Sequence, residues 1–146
     1  MKTTLLFFAL IAFGTIAYSQ QTKQSIDYQY FRDDKSYYAF ELFKDNSSGM
    51  DNHLMINFTA NSSFKKIDKV YLKAGEAELK IKFKLREETV KSDNPEQKFY
   101  PIIFEARDLA DKNFPCDAKI VFKLDNGTTY TLPFSTCSVI EFIAKN

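Results

Sequence analysis

The stretch L-K-I-K-F-K-L-R, Leu79 to Arg86, alternates apolar and basic side chains at every position. Wound as a helix, it would scatter its apolar groups around the whole circumference. Extended as a strand, it places Leu79, Ile81, Phe83 and Leu85 on one face and Lys80, Lys82, Lys84 and Arg86 on the other. The chain must therefore build a sheet with one dry and one wet face, a pattern typical of antiparallel sheets.

The same period of two recurs along the sequence. Tyr38, Phe40 and Leu42 alternate with Tyr37, Ala39 and Glu41, and Leu54, Ile56 and Phe58 alternate with His53, Met55 and Asn57. Ile67 to Ala74 and Glu78 to Arg86 form a hairpin, because setting Leu72 against Leu79 also sets Val70 against Ile81 and Lys73 against Glu78. Further strands are expected over Tyr100–Arg107, Ala118–Leu124, Thr128–Phe134 and Ser138–Ala144, with one short helical turn over Arg107–Phe114 limited by Pro115. About eight short strands at this spacing predict an all-β fold, an antiparallel β-sandwich that is loosely Ig-like. The chain contains no tryptophan, so the Cys-Trp-Cys pattern of antibody-type domains is missing.

Residues 1–19 carry Lys2, an apolar run from Leu5 to Ile16 and small residues at Ala17 and Ser19, as a cleavable signal peptide does. The run is short for a membrane span, and no later segment resembles a stop-transfer sequence. No cysteine lies beside the expected cut, so a lipid anchor there is not available. Residues 20–35 are polar apart from Tyr28, Tyr30 and Phe31 and read as an N-terminal arm; residues 36–146 form the β-sandwich domain. The expected location is secreted or periplasmic, with no membrane span after cleavage.

The whole chain has 20 basic and 19 acidic residues, and removal of Lys2 with the signal leaves it formally neutral. Bulk charge thus gives no reason to expect a nucleic-acid partner. Locally the balance differs: residues 65–86 hold eight basic side chains against three acidic ones. Lys80, Lys82, Lys84 and Arg86 form a stripe suited to an acidic polysaccharide, lipid headgroups or an acidic protein, or serve only as a solvated face that discourages edge-to-edge aggregation. Tyr37 and Phe43 are expected as outward rings able to stack on a sugar or anchor a protein. Four tripeptides, beginning at Asn46, Asn57, Asn61 and Asn126, fit the N-glycosylation pattern and are read as chance matches.

Cys116 and Cys137 flank a hairpin whose turn is Asp125-Asn126-Gly127. A two-residue turn would place the cysteines opposite one another but set Tyr130 against Lys123 and Phe134 against Lys119. A three-residue turn with Gly127 in a bulge pairs Phe122 with Tyr130, Ile120 with Leu132 and Ala118 with Phe134, and burial of those side chains favours it. The cysteines are then offset by one residue, and one further bend near Pro115 or Pro133 is needed to join them. Exported thiols usually oxidise, so a Cys116–Cys137 disulfide is expected.

Catalytic signals are sparse. His53 as a base for Cys116 has no support in the spacing, one histidine and two cysteines match no zinc pattern, and Asp45, Asp51 and Asn52 read as turn formers rather than calcium ligands. No catalytic residue, metal or cofactor is assigned. The sequence reads as an exported non-enzymatic binding or interaction module recognising a protein or glycan. Its alternatives are a small exported hydrolase or thiol enzyme, and a structural component of an envelope or secreted assembly whose last strand, Val139 to Ala144, accepts another chain. Oligomeric state is left open.

Overall fold

A computed structural model describes residues 23–46, 49–87 and 95–146. The expected signal peptide lies outside these residues. Chain order is β1 (Lys23–Arg32), β2 (Tyr37–Asp45), β3 (His53–Ala60), β4 (Ile67–Ala74), β5 (Ala77–Ile81), β6 (Phe83–Leu85), β7 (Lys98–Glu105), α1 (Arg107–Ala110), β8 (Asp117–Leu124), β9 (Thr129–Ser135) and α2 (Thr136–Lys145). The strands form two antiparallel sheets, β1-β2-β3-β7-β6 and β5-β4-β8-β9, packed as a sandwich.

The apolar positions of the alternating strands meet between the sheets. Phe40, Leu42, Ile56 and Phe58 of the first sheet oppose Val70, Leu72, Ile120 and Phe122 of the second, all at most 1% exposed. Phe58 and Phe122 stack with ring centroids 4.4 Å apart, directly linking the two layers. Each such side chain contributes roughly 1.5 to 3 kcal/mol by leaving water.

The β4–β5 hairpin has the expected register, with Val70 opposite Ile81, Leu72 opposite Leu79 and Lys73 opposite Glu78. The β8–β9 hairpin adopts the bulged register: Phe122 pairs with Tyr130, Ile120 with Leu132 and Ala118 with Phe134. Gly127, at φ +84°, supplies the left-handed residue that this turn requires.

Three elements differ from the sequence reading. The described part of the N-terminal arm is β1, an edge strand paired along its length with β2 and shifted in register between Ser25 and Asp27. Polar composition suggested an arm, but an edge strand keeps one backbone side wet and tolerates such residues.

The alternating Leu79–Arg86 run is not one strand. It breaks at Lys82, so that β5 belongs to the second sheet and β6 to the first. The chain crosses between layers, and the two-residue period stops reporting which face is wet. Leu85, expected inside, is 57% exposed, whereas Arg86, expected outside, is 9% exposed.

The expected last strand is the helix α2. Ser135 caps it by accepting a hydrogen bond from the Ser138 backbone N–H at 3.4 Å, and the Ser135 and Ser138 hydroxyls lie 2.8 Å apart. Val139 and Ile143, four residues apart, join the core from one helical face. The terminal strand edge that was to accept another chain therefore does not exist.

The helix also resolves the cysteine offset. The Thr136 N–H donates to the Cys116 carbonyl at 3.0 Å, continuing the β8–β9 register, and the first turn of α2 then swings Cys137 back over Cys116. Their sulfurs lie at disulfide-bonding distance, with Cα atoms 4.8 Å apart. At the other end of α2, the buried Lys44 side chain donates to the Asn146 main-chain oxygen at 3.3 Å, placing a cation beside the negative end of the helix.

Candidate binding face

The outer surface of the second sheet gathers basic residues from three strands. Inward alternation of Val70 and Leu72 turns Lys69, Tyr71 and Lys73 of β4 outward. In β8 the inward Ile120 and Phe122 turn Lys119, Val121 and Lys123 out, and in β5 Lys80 is turned out beside Ile81. The ladders set Lys69 opposite Lys123, Tyr71 opposite Val121 and Lys73 opposite Lys119, while Lys80 stands opposite Tyr71 on the other side. β9 completes the face with Thr129 and Thr131, paired to Lys123 and Val121.

Two cross-strand lysine pairs thus bracket a central Tyr71–Val121 step. Like charges directly opposite on a sheet are destabilising. Among the described residues, none of these five lysines forms an ion pair. The acids on the face are Glu78, opposite Lys73, and Asp117 at the start of β8. On a chain of formal net charge +1, this face brings five lysines together.

Along this surface runs a shallow trough of about 470 Å3, lined by Tyr71, Lys73, Asp117, Lys119, Val121 and the β9 threonines. At its centre Val121, 3% exposed, is enclosed by Tyr71 and Thr131 across the two ladders. The arrangement offers fixed positive charge, one aromatic ring, hydroxyl groups and the Asp117 carboxylate.

The residues expected to bind are dispersed by the fold. Lys80 lies on the face, Lys82 at the crossing between sheets, and Lys84 on the short edge strand β6, all exposed. Arg86 reaches over the outer side of the first sheet, where its guanidinium donates to the Asn57 side-chain oxygen, lies 3.3 Å from Met55 Sδ and sits 5.1 Å from the centre of the Phe43 ring. Phe43 points to the outer side of the first sheet but is only 4% exposed, covered by Lys23, 4.4 Å from the ring centre, and by Arg86. Tyr37 is half-buried and its hydroxyl is 3.2 Å from that of Tyr28. Among the described residues the exposed aromatics are Tyr28, Tyr30 and Phe31 of β1, at 54%, 62% and 41%.

Sequence reasoning missed Lys119 and Lys123. Their signal was present in A-K-I-V-F-K-L, where the inward Ile120 and Phe122 fix the opposite parity for the lysines. What was lacking was knowledge that β8 lies beside β4.

Cys116 and Cys137 are not free thiols, and His53 lies in the other sheet, opposite Glu105 on β7. Among the described residues, no group of three or more His, Cys, Asp or Glu side chains is placed to hold a metal ion. The side-chain amides of Asn57, Asn61 and Asn126 are each engaged in hydrogen bonds with other residues, to Glu41, the Lys35 carbonyl and the Ser63 carbonyl respectively. No helix among the described residues is long and apolar enough to cross a membrane. Comparison with known protein families, curated proteins and solved structures finds no match.

Proposed function

We propose that the protein is an exported, non-enzymatic binding module, and that a protein or glycan docks on the outer face of the β5-β4-β8-β9 sheet. Export is supported by the signal-like residues 1–19 together with a cysteine pair at disulfide distance, since such bonds persist in oxidising compartments. The binding role rests on one observation: Lys69 opposes Lys123 and Lys73 opposes Lys119, and among the described residues none of the four forms an ion pair, with Glu78 opposite Lys73 the one acid across the ladders. Such pairing lowers stability, so a face built from it is explained by an anionic partner that neutralises it.

The test is binding of the exported protein to immobilised polyanions at low and physiological salt, with Lys73→Glu/Lys119→Glu as the variant. Affinity should fall with salt and with charge reversal. Binding indifferent to both would remove the face from the function.

A further inference from the structure

We propose that the ligand of this face is a linear acidic polysaccharide, an inference that rests on the binding-module reading above. Lys69 and Lys73 are four residues apart on β4, as are Lys119 and Lys123 on β8, so the two cationic pairs stand roughly 13 Å apart by the rise of a strand. A single acid cannot satisfy both. The ligand must repeat its negative groups along its length.

The trough adds a second requirement. Beside Lys73 and Lys119 it presents the Asp117 carboxylate, which accepts hydrogen bonds from ligand hydroxyls, and the Thr129 and Thr131 hydroxyls, which can donate or accept. A polymer carrying acids and hydroxyls together meets both demands. Tyr71 lies between the lysine pairs, where the C–H face of a pyranose ring can rest on its ring while its own hydroxyl remains polar.

Other polyanions fit less well. Single-stranded nucleic acid is held by successive aromatic platforms, and this face has one ring. Duplex recognition requires an element that enters a groove, which a four-stranded sheet face lacks. Membrane insertion requires exposed apolar side chains, yet Tyr28, Tyr30, Phe31, Met50 and Leu85 all lie outside this face. All five cations here are lysines, point charges suited to acids spread along a flexible chain rather than to bidentate phosphate clamping by arginine.

The experiment titrates the signal-cleaved, oxidised protein with polygalacturonate, dextran sulfate, neutral dextran and poly-L-glutamate. Polygalacturonate and dextran sulfate should bind, with affinity falling as salt rises; neutral dextran should not bind, and poly-L-glutamate should bind about tenfold more weakly than polygalacturonate. Lys73→Glu/Lys119→Glu should abolish binding to both acidic polysaccharides. Tyr71→Ala should weaken polygalacturonate several-fold and leave poly-L-glutamate unchanged, with thermal melting checking that each variant folds. Equal affinity for poly-L-glutamate and polygalacturonate, with Tyr71→Ala indifferent, would overturn the polysaccharide assignment while leaving a charged docking face. Absence of binding to every polyanion would overturn both.

Discussion

Lys73 and Lys119 face each other directly across the β4–β8 ladder on the solvent side of the second sheet. Replacing one of them with an acid turns a repulsive pair into an attractive one. Lys119→Glu should therefore stabilise the fold by about 0.5 kcal/mol while weakening polyanion binding. Denaturant midpoints and binding titrations on the same preparation test this. A variant that loses stability, or that binds as well as the parent, contradicts the view that the lysine pairs are retained for a ligand.

Cys116 and Cys137 tie the entrance of β8 to the first turn of α2, with 21 residues of sequence separation. Replacing both with alanine should lower stability by roughly 3 kcal/mol on the chain-entropy model. Helical circular dichroism should weaken before the sheet signal, because Val139 and Ile143 then hold α2 with less help from the covalent link. An unchanged denaturation midpoint would show that the bond is not a staple.

Phe58 sits at the contact between the layers, fully buried against Phe122. Phe58→Ala leaves a cavity that neighbouring strands cannot close, and should lower stability by about 3 to 5 kcal/mol. Phe58→Leu should lose less. Equilibrium unfolding of the pair gives the ordering, and equal losses would show that filling the cavity with aliphatic volume restores nothing.

The Tyr28 hydroxyl is raised from the ordinary tyrosine value of 10.0 to about 12, chiefly by its hydrogen bond to Tyr37, with burial and nearby negative charge adding to the shift. The folded chain holds this proton in a range where the unfolded chain releases it. The associated stability is complete below pH 10 and is lost as pH climbs toward about 12. In a tyrosinate absorbance titration, Tyr37→Phe should move the latest-titrating hydroxyl downward. An unaltered titration curve would rule out the Tyr28–Tyr37 bond as its cause.

The split of Leu79–Arg86 shows where sequence periodicity stops being informative. Alternation reports a face only while the strand remains in one sheet, and Lys82 marks the point at which this chain changes layers. Arg86 and Leu85 consequently exchange their expected environments. At the C-terminus, Val139, Ile140, Phe142 and Ile143 lack a period of two and recur at the i, i+3 and i+4 spacing of a helix, which the Ser135 and Ser138 pair caps.

The sequence by itself determined the antiparallel sandwich, the β4–β5 register and the bulged β8–β9 hairpin, because neighbouring strands joined by short turns settle their pairing through side chains close along the chain. Tertiary structure alone decided that β4 and β8 are neighbours, and hence that Lys69, Lys73, Lys119 and Lys123 share one surface. Pairing between strands separated by more than forty residues depends on how the two sheets close over a common core. No local pattern specifies that choice, so the basic face exists only after the layers have packed.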